Sequence, residues 1–150
     1  MRAIVYRSAG GPEVLELVED RPVPEPGPGE VRVRIAVSGV NPTDWKSRAG
    51  TDPQGDQVPN QDGAGTVDAV GAGTAFTVGD RVWVWDAAYR RPDGTAQELV
   101  VLPARQVVRL PDPASFDLGA ALGIPALTAH LALTADAPAR PLAPGALDRH

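Results

Sequence analysis

The sequence predicts a mostly β domain, a small barrel or sandwich carrying a few short helices, on three observations. Short Val-rich runs recur along the chain, 16 glycines and 16 prolines punctuate its 150 residues, and helical periodicity starts only after position 115. β-Branched side chains suit a pleated, half-buried surface, while Gly and Pro supply the dihedrals that tight turns require. This length fits one domain with a core of real size.

The elements follow in order. Arg2 to Tyr6 alternates around Ala3-Ile4-Val5 and predicts a first strand. The Ala9-Gly10-Gly11-Pro12 turn leads to a second strand over Val14 to Val18. Residues 22–29, PVPEPGPG, form an extended surface connection, because proline has no N–H to give a ladder. Glu30 to Val40 is the cleanest period-2 run, with Val31, Val33, Ile35 and Val37 on one side and Arg32 and Arg34 on the other. Asn41 before Pro42 predicts a capped helix of two turns at most, with Gly50 as its stop. The central pair, Gly65 to Val70 and Arg81 to Trp85, flanks a Gly/Thr-rich loop. Thr95 to Val101 and Gln106 to Leu110 complete the strands. Ser115 caps a helix over Phe116 to Leu122, and Pro125 opens another over Ala126 to Leu133. Residues 135–146, ADAPARPLAPGA, read as a semi-rigid Ala/Pro linker or tail.

Composition narrows the function classes. A net charge of −5 offers no basic footprint for nucleic acid or an anionic membrane surface. No run approaches the ~20 apolar residues that span a bilayer, and the start MRAIVYRSAG lacks a secretory h-region. The absence of cysteine excludes disulfides and thiolate metal sites. Cytoplasm is the default expectation.

Gly65-Thr66-Val67, then Val70-Gly71, then Val78-Gly79-Asp80-Arg81-Val82, follow the Pro-x-Pro-x-x-Gly-Glu-Val opening that ends at Glu30-Val31. Together they resemble the N-terminal, GroES-like domain of the medium-chain dehydrogenase/reductase superfamily, in its zinc-independent, zeta-crystallin-like quinone oxidoreductase branch. The resemblance covers roughly residues 1–134. It implies a partly open β-barrel with short helices, and an NADPH-dependent enzyme passing hydride to a quinone or enone in an interdomain cleft. The helix around Gly123 to Ala129 resembles the one leading into the family's Rossmann domain. Neither Gly63-Ala64-Gly65 nor Gly71-Ala72-Gly73 has the third glycine of a phosphate turn, so both read as turns. The expectation is a chain lacking that Rossmann domain, whose uncovered apolar surface favours a homo-oligomer. An inactive truncated relative, or a protein-association module, is the competing reading.

The same resemblance nominates site residues. Asn41 stands where the superfamily's zinc enzymes carry a cysteine, and Gln61-Asp62 where they carry His-Glu, so no metal is expected. The matching Asn-Pro-x-Asp segment lies beside the nicotinamide and its ribose in the family, which points Asn41 at the cofactor. Capping alone also explains an Asn at this place. Asp44 reads as a first-turn carboxylate supporting the segment. Lys46 replaces a tyrosine of many relatives and could approach a cofactor phosphate. Thr128 would meet the nicotinamide carboxamide, or else bond a preceding helix carbonyl. Trp45 and Tyr89 are candidate walls of the substrate cleft, with core and solvated loop as their ordinary alternatives. Gln61 and Asp62 buttress the central strand. No side chain is nominated as a nucleophile or general acid, since hydride chemistry belongs to the cofactor.

Overall fold

The computed structural model describes residues 1–134; the Ala/Pro-rich stretch at 135–150 lies outside them. The strands are β1 (Ala3–Val5), β2 (Glu16–Val18), β3 (Glu30–Gly39), β4 (Asp62–Val70), β5 (Arg81–Val84), β6 (Leu99–Pro103) and β7 (Val107–Arg109). The helices are α1 (Pro42–Gly50), α2 (Phe116–Ala120) and α3 (Leu127–Thr134), the last entered through a π-helical turn at Leu122–Ala126.

β1 and β2 form a small hairpin, and the other five strands form one antiparallel sheet in the order β6-β3-β4-β5-β7. The outer strands of that sheet, β6 and β7, are consecutive in the chain and joined by the 3-10 turn Ala104–Gln106. A three-residue link cannot span a flat five-stranded sheet, whose strands lie ~4.8 Å apart. The sheet therefore curls into a partly open barrel, as the sequence predicts. Val31, Val33, Val67, Val82, Val84, Val100, Leu102 and Val107 fill its inside.

Long-range pairing moved several boundaries. The second strand starts at Glu16, because Pro12–Val14 turns as 3-10 helix. Thr95 to Glu98 do not join the sheet: Ala96 accepts from Ile4 N–H, and Gln97 bridges Ala3. That stretch ties the hairpin to the barrel instead. α1 runs nine residues, a little beyond two turns, and leaves through extended Thr51, so Gly50 ends it without a left-handed cap. Pro125 sits inside the π turn instead of opening α3. Ser115 does cap α2, its Oγ accepting from Leu118 N–H at 3.1 Å. Among the described residues no helix is long and apolar enough to cross a membrane.

Candidate functional site

α1 meets the start of β4 and the π turn at a corner built from buried polar groups. Asp44, at the third helical position, accepts the Asn41 N–H at 2.6 Å with one oxygen and the Gln61 N–H at 3.1 Å with the other. It thereby satisfies an orphan donor of the helix start and pins α1 to the segment ahead of β4. Burial raises the Asp44 carboxyl, while the hydrogen bonds from Asn41 and Gln61 pull it down less strongly.

Asn41 occupies the N-cap position in a capping box with Asp44. Asp44 N–H bonds the Asn41 backbone carbonyl at 3.0 Å, and the Asn41 side-chain amide donates to Asp62 Oδ2 at 2.9 Å. That same oxygen accepts the Ile124 N–H at 2.7 Å. Asp62 is fully buried, and its Oδ1 has no partner among the described residues. Burial pushes its carboxyl up; the bonds from Ile124 and Asn41 oppose this, and the charges of Asp44 and Asp86 add to the rise. Gly123 completes the corner. A Cβ there would stand 2.1 Å from Asp62 Oδ1, so only glycine lets the π turn lie against the carboxylate. The Asp62 backbone carbonyl accepts from the buried Thr95 hydroxyl at 2.5 Å, and Thr95 meets Ser38 at 2.7 Å.

Beside this corner opens a cleft of about 580 Å³, whose walls include Tyr6, Asp44, Asn60, Gln61, Tyr89 and Arg91. Two of its wall residues hold buried polar atoms without partners among the described residues, Gln61 Oε1 and Arg91 Nη1. Burial raises the Tyr6 hydroxyl; Arg48 lowers it and Asp44 raises it further.

The structure brings some of the nominated residues together. Asn41, 5% exposed, joins Asp44, Asp62 and Ile124 in the corner. Tyr89 lines the cleft, with the Arg90 guanidinium 5.2 Å from its ring centre. Trp45 and Lys46 point elsewhere from α1: the ring is half-exposed, the Lys46 ammonium sits 5.6 Å from its centre, and neither lines the cleft. Thr128 is exposed on α3, four residues beyond the Ile124 anchor, with no hydrogen bond to its hydroxyl among the described residues. The glycines of 71–73 follow β4 in a turn, as expected, but those of 63–65 lie within β4 instead of a turn, because Asp62 to Val70 pairs with β3 along its whole length; neither pair opens a helix. Sequence reasoning missed Tyr6 and Thr95 as parts of the site, and it gave Asp62 only a buttressing role. The signal for Asp62 was faint: a carboxylate at the head of an apolar strand with no cation near it in sequence.

Among the described residues no group of three or more His, Cys, Asp or Glu side chains could hold a metal ion.

A family model for the alcohol dehydrogenase GroES-like domain matches residues 27–112. A quinone oxidoreductase of Pseudomonas aeruginosa is 42% identical over 131 residues, which is 85% of this chain and 38% of that protein. One from Lama guanicoe is 39% identical over 137 residues, 89% of this chain and 40% of the relative. The crystal structure of Escherichia coli quinone oxidoreductase complexed with NADPH superposes with a TM-score of 0.81 at 30% identity, over 89% of this chain and 40% of that one. The chain thus spans about two-fifths of the length of the relatives it matches.

Proposed function

The chain belongs to the alcohol dehydrogenase GroES-like domain family, on the quinone oxidoreductase branch of the medium-chain dehydrogenase/reductase superfamily, and from that premise we propose that it forms the substrate-side domain of a zinc-independent, NADPH-dependent reductase of quinones or enones. The observation that carries this reading is the corner itself. A neutral amide, Asn41, donates to the buried Asp62 while its backbone N–H bonds Asp44, and Asp44 and Gln61 beside it line a cleft of about 580 Å³. Sites that orient a cofactor without adding charge are built in this way, with the positioning group locked by its neighbours.

Asn41 and Thr128 would hold the nicotinamide end of NADPH, and Lys46 would face a phosphate. When bound, the cofactor supplies the hydride. This chain's residues orient and shield: Tyr89 provides a flat wall of the cleft, Gln61 and Arg91 line it with polar atoms, and the buried corner excludes water from one side. Trp45, half-exposed on α1, offers a second flat wall to a ligand that extends beyond the cleft. Cytoplasmic residence fits this role.

One observation favours association as an additional property. Leu127, Leu131 and Leu133 of α3 are 45%, 60% and 50% exposed, a density of apolar surface that soluble chains usually cover. Self-association through α3 follows, and a sedimentation profile that stays monomeric at high concentration would remove it.

The functional reading is tested by NMR titration of the chain, first with NADPH and then with 1,4-benzoquinone, beside an assay of quinone-dependent NADPH oxidation. Expected are weak NADPH binding with shifts confined to residues 41–46 and 124–134, and quinone shifts around Gln61 and Tyr89. Shifts that map elsewhere, or none at millimolar NADPH, overturn the assignment of these side chains.

A further inference from the structure

The hydrogen bonds around Asp62 carry more information than packing. Its Oδ2 accepts two donors at once, the Asn41 side-chain amide at 2.9 Å and the Ile124 backbone N–H at 2.7 Å. A carboxylate oxygen occupied by two N–H donors acts only as an acceptor. The group of Asn41 facing it must therefore be the NH₂, because the rotated amide would set Asn41 Oδ1 against Asp62 Oδ2. Protonation of Asp62 leaves this unchanged. A proton would settle on Oδ1, the oxygen that has no donor, and Oδ2 would keep both of its bonds.

We infer that Asp62 is a positioning residue that locks the Asn41 amide with its NH₂ inward, so that Asn41 meets its ligand through Oδ1 alone and recognises a hydrogen-bond donor. The inference rests on the proposed function for the identity of the ligand, and on the hydrogen bonds above for the orientation. The donor has the chemistry of a sugar hydroxyl or a carboxamide NH₂, and a bare carbonyl oxygen at that place is refused. The specificity follows from asymmetry: a free amide could satisfy either partner by rotating, and this one cannot. Asp62 also serves a second element. Through Ile124 it fixes the entry to α3, four residues before Thr128, so a single carboxylate sets both protein groups that the family resemblance assigns to the nicotinamide end. Gly123 is the enabling residue, since its missing Cβ is what allows Asp62 to reach the π turn.

The charged groups facing Asp62 are Asp44 from α1 and Asp86 from the loop after β5, and their reporters can be separated. The backbone amides of Asn41 and Gln61 bond Asp44, whereas the Asn41 side-chain NH₂ and the Ile124 amide bond Asp62. The test is a ¹⁵N NMR titration of the chain from about pH 3 to 8, a range that covers ordinary and raised carboxyl groups. The Asn41 NH₂ and Ile124 resonances should move together with one midpoint above the ordinary carboxylate value, and both NH₂ protons should persist through it. In Asp62→Asn that shared titration disappears and the Ile124 amide exchanges about tenfold faster, the loss expected for a hydrogen bond to a charged group. Separate midpoints, or an Asn41 NH₂ that does not respond, overturn the locked amide, and the wild-type titration decides this even where Asp62→Asn does not fold.

A second arm tests recognition with NADPH as the probe. Asp62→Asn frees the amide to rotate and should weaken NADPH binding about tenfold, while Asp68→Asn, on the same strand outside the corner, leaves it unchanged. Equal affinity of wild type and Asp62→Asn overturns the recognising role. Failure of the wild type to bind NADPH removes the functional reading, and the pH titration still decides the orientation.

Discussion

Asp62 and Asp68 belong to the same strand and live by opposite electrostatics. Asp68 lies on the outside of β4, between Arg32 and Arg34, each 2.7 Å away. Burial is the largest single influence on Asp68 and pushes it up, but the hydrogen bonds and charges of Arg34 and Arg32 together outweigh it and hold the carboxyl below its ordinary value. Among the described residues Asp62 has no cation for a partner, only an amide and a backbone N–H with two other carboxylates nearby, and burial raises it. One carboxylate is satisfied by charge at a surface where water could replace most of what is lost. The other is satisfied by geometry where nothing can replace it. A carboxylate held by cations and one held by neutral donors thus stand on one β-strand, told apart by what faces them.

The largest effect that could break this contrast is a pair of truncations. Asp62→Ala strands the Asn41 amide and the Ile124 N–H in a buried corner and should cost about 3 kcal/mol or more in urea unfolding, given ~1–3 kcal/mol for each buried group left unpaired. Asp68→Ala leaves Arg34 to solvent and Arg32 to its bonds with Pro24 and Glu25, and should cost about 1 kcal/mol. Equal costs would mean that the corner is wetter, or the surface pair tighter, than the structure shows.

Next is Gly123→Ala. Its Cβ would press on Asp62 Oδ1 at 2.1 Å, a buried atom with nowhere to go, and overpacking of that kind costs about 2 kcal/mol. The same substitution in an Asp62→Ala background should lose most of that penalty, and a double-mutant cycle measures the difference. An additive cycle would show that Gly123 is needed for the shape of the π turn and not for Asp62.

The two carboxylates also predict opposite slopes of stability against pH. Asp62, raised in the folded state, binds its proton more tightly there than when unfolded, so its contribution is full below the ordinary carboxylate value of 3.8 and is lost as pH rises through the folded value. Asp68, lowered, contributes above 3.8 and loses that contribution as pH falls through its folded value. Urea midpoints of Asp62→Asn and Asp68→Asn across the acid range, each compared with wild type, should therefore diverge in opposite directions. Slopes of one sign would show that Asp62 has a cation within reach.

How much of this could be read from the chain follows from the same contrast. β3 was legible over Glu30 to Val40 because its alternation is local: Val31 and Val33 are fully buried and Arg34 is exposed, and the pattern blurs only where bulges shift the register at Arg32/Val33 and Ile35/Val37. The barrel class was legible for the same reason. The extended fate of Thr95 to Glu98 was misread, because it depends on Ile4 and Ala3, more than ninety positions away. The corner was the least legible. Asp62 meets Ile124 across 62 positions, and nothing in the period or composition of either segment announces that pairing. Asn41 was singled out as a cofactor contact with capping as its alternative, and its bond to Asp62 was not foreseen. The Asp44 carboxylate accepts the Asn41 N–H, and the Asn41 side-chain amide donates to Asp62.

The smallest prediction concerns the surface arm alone. Arg34 is 61% exposed, so its bond to Asp68 competes with water and with the entropy of a long side chain held in one place. Arg34→Ala should cost about 0.5 kcal/mol in dilute buffer, and about 1 M salt should shrink that difference, because such pairs are screened over a Debye length of a few ångströms. Arg32, only 13% exposed, also donates to the Pro24 carbonyl and to Glu25, so its bond to Asp68 is shielded by neighbours that the Arg34 arm lacks. Its truncation should remain costly in salt. Parallel denaturation curves of the two variants at low and high salt check this: a salt response in Arg34→Ala and none in Arg32→Ala would place the boundary between surface and structural charge inside a single three-residue cluster.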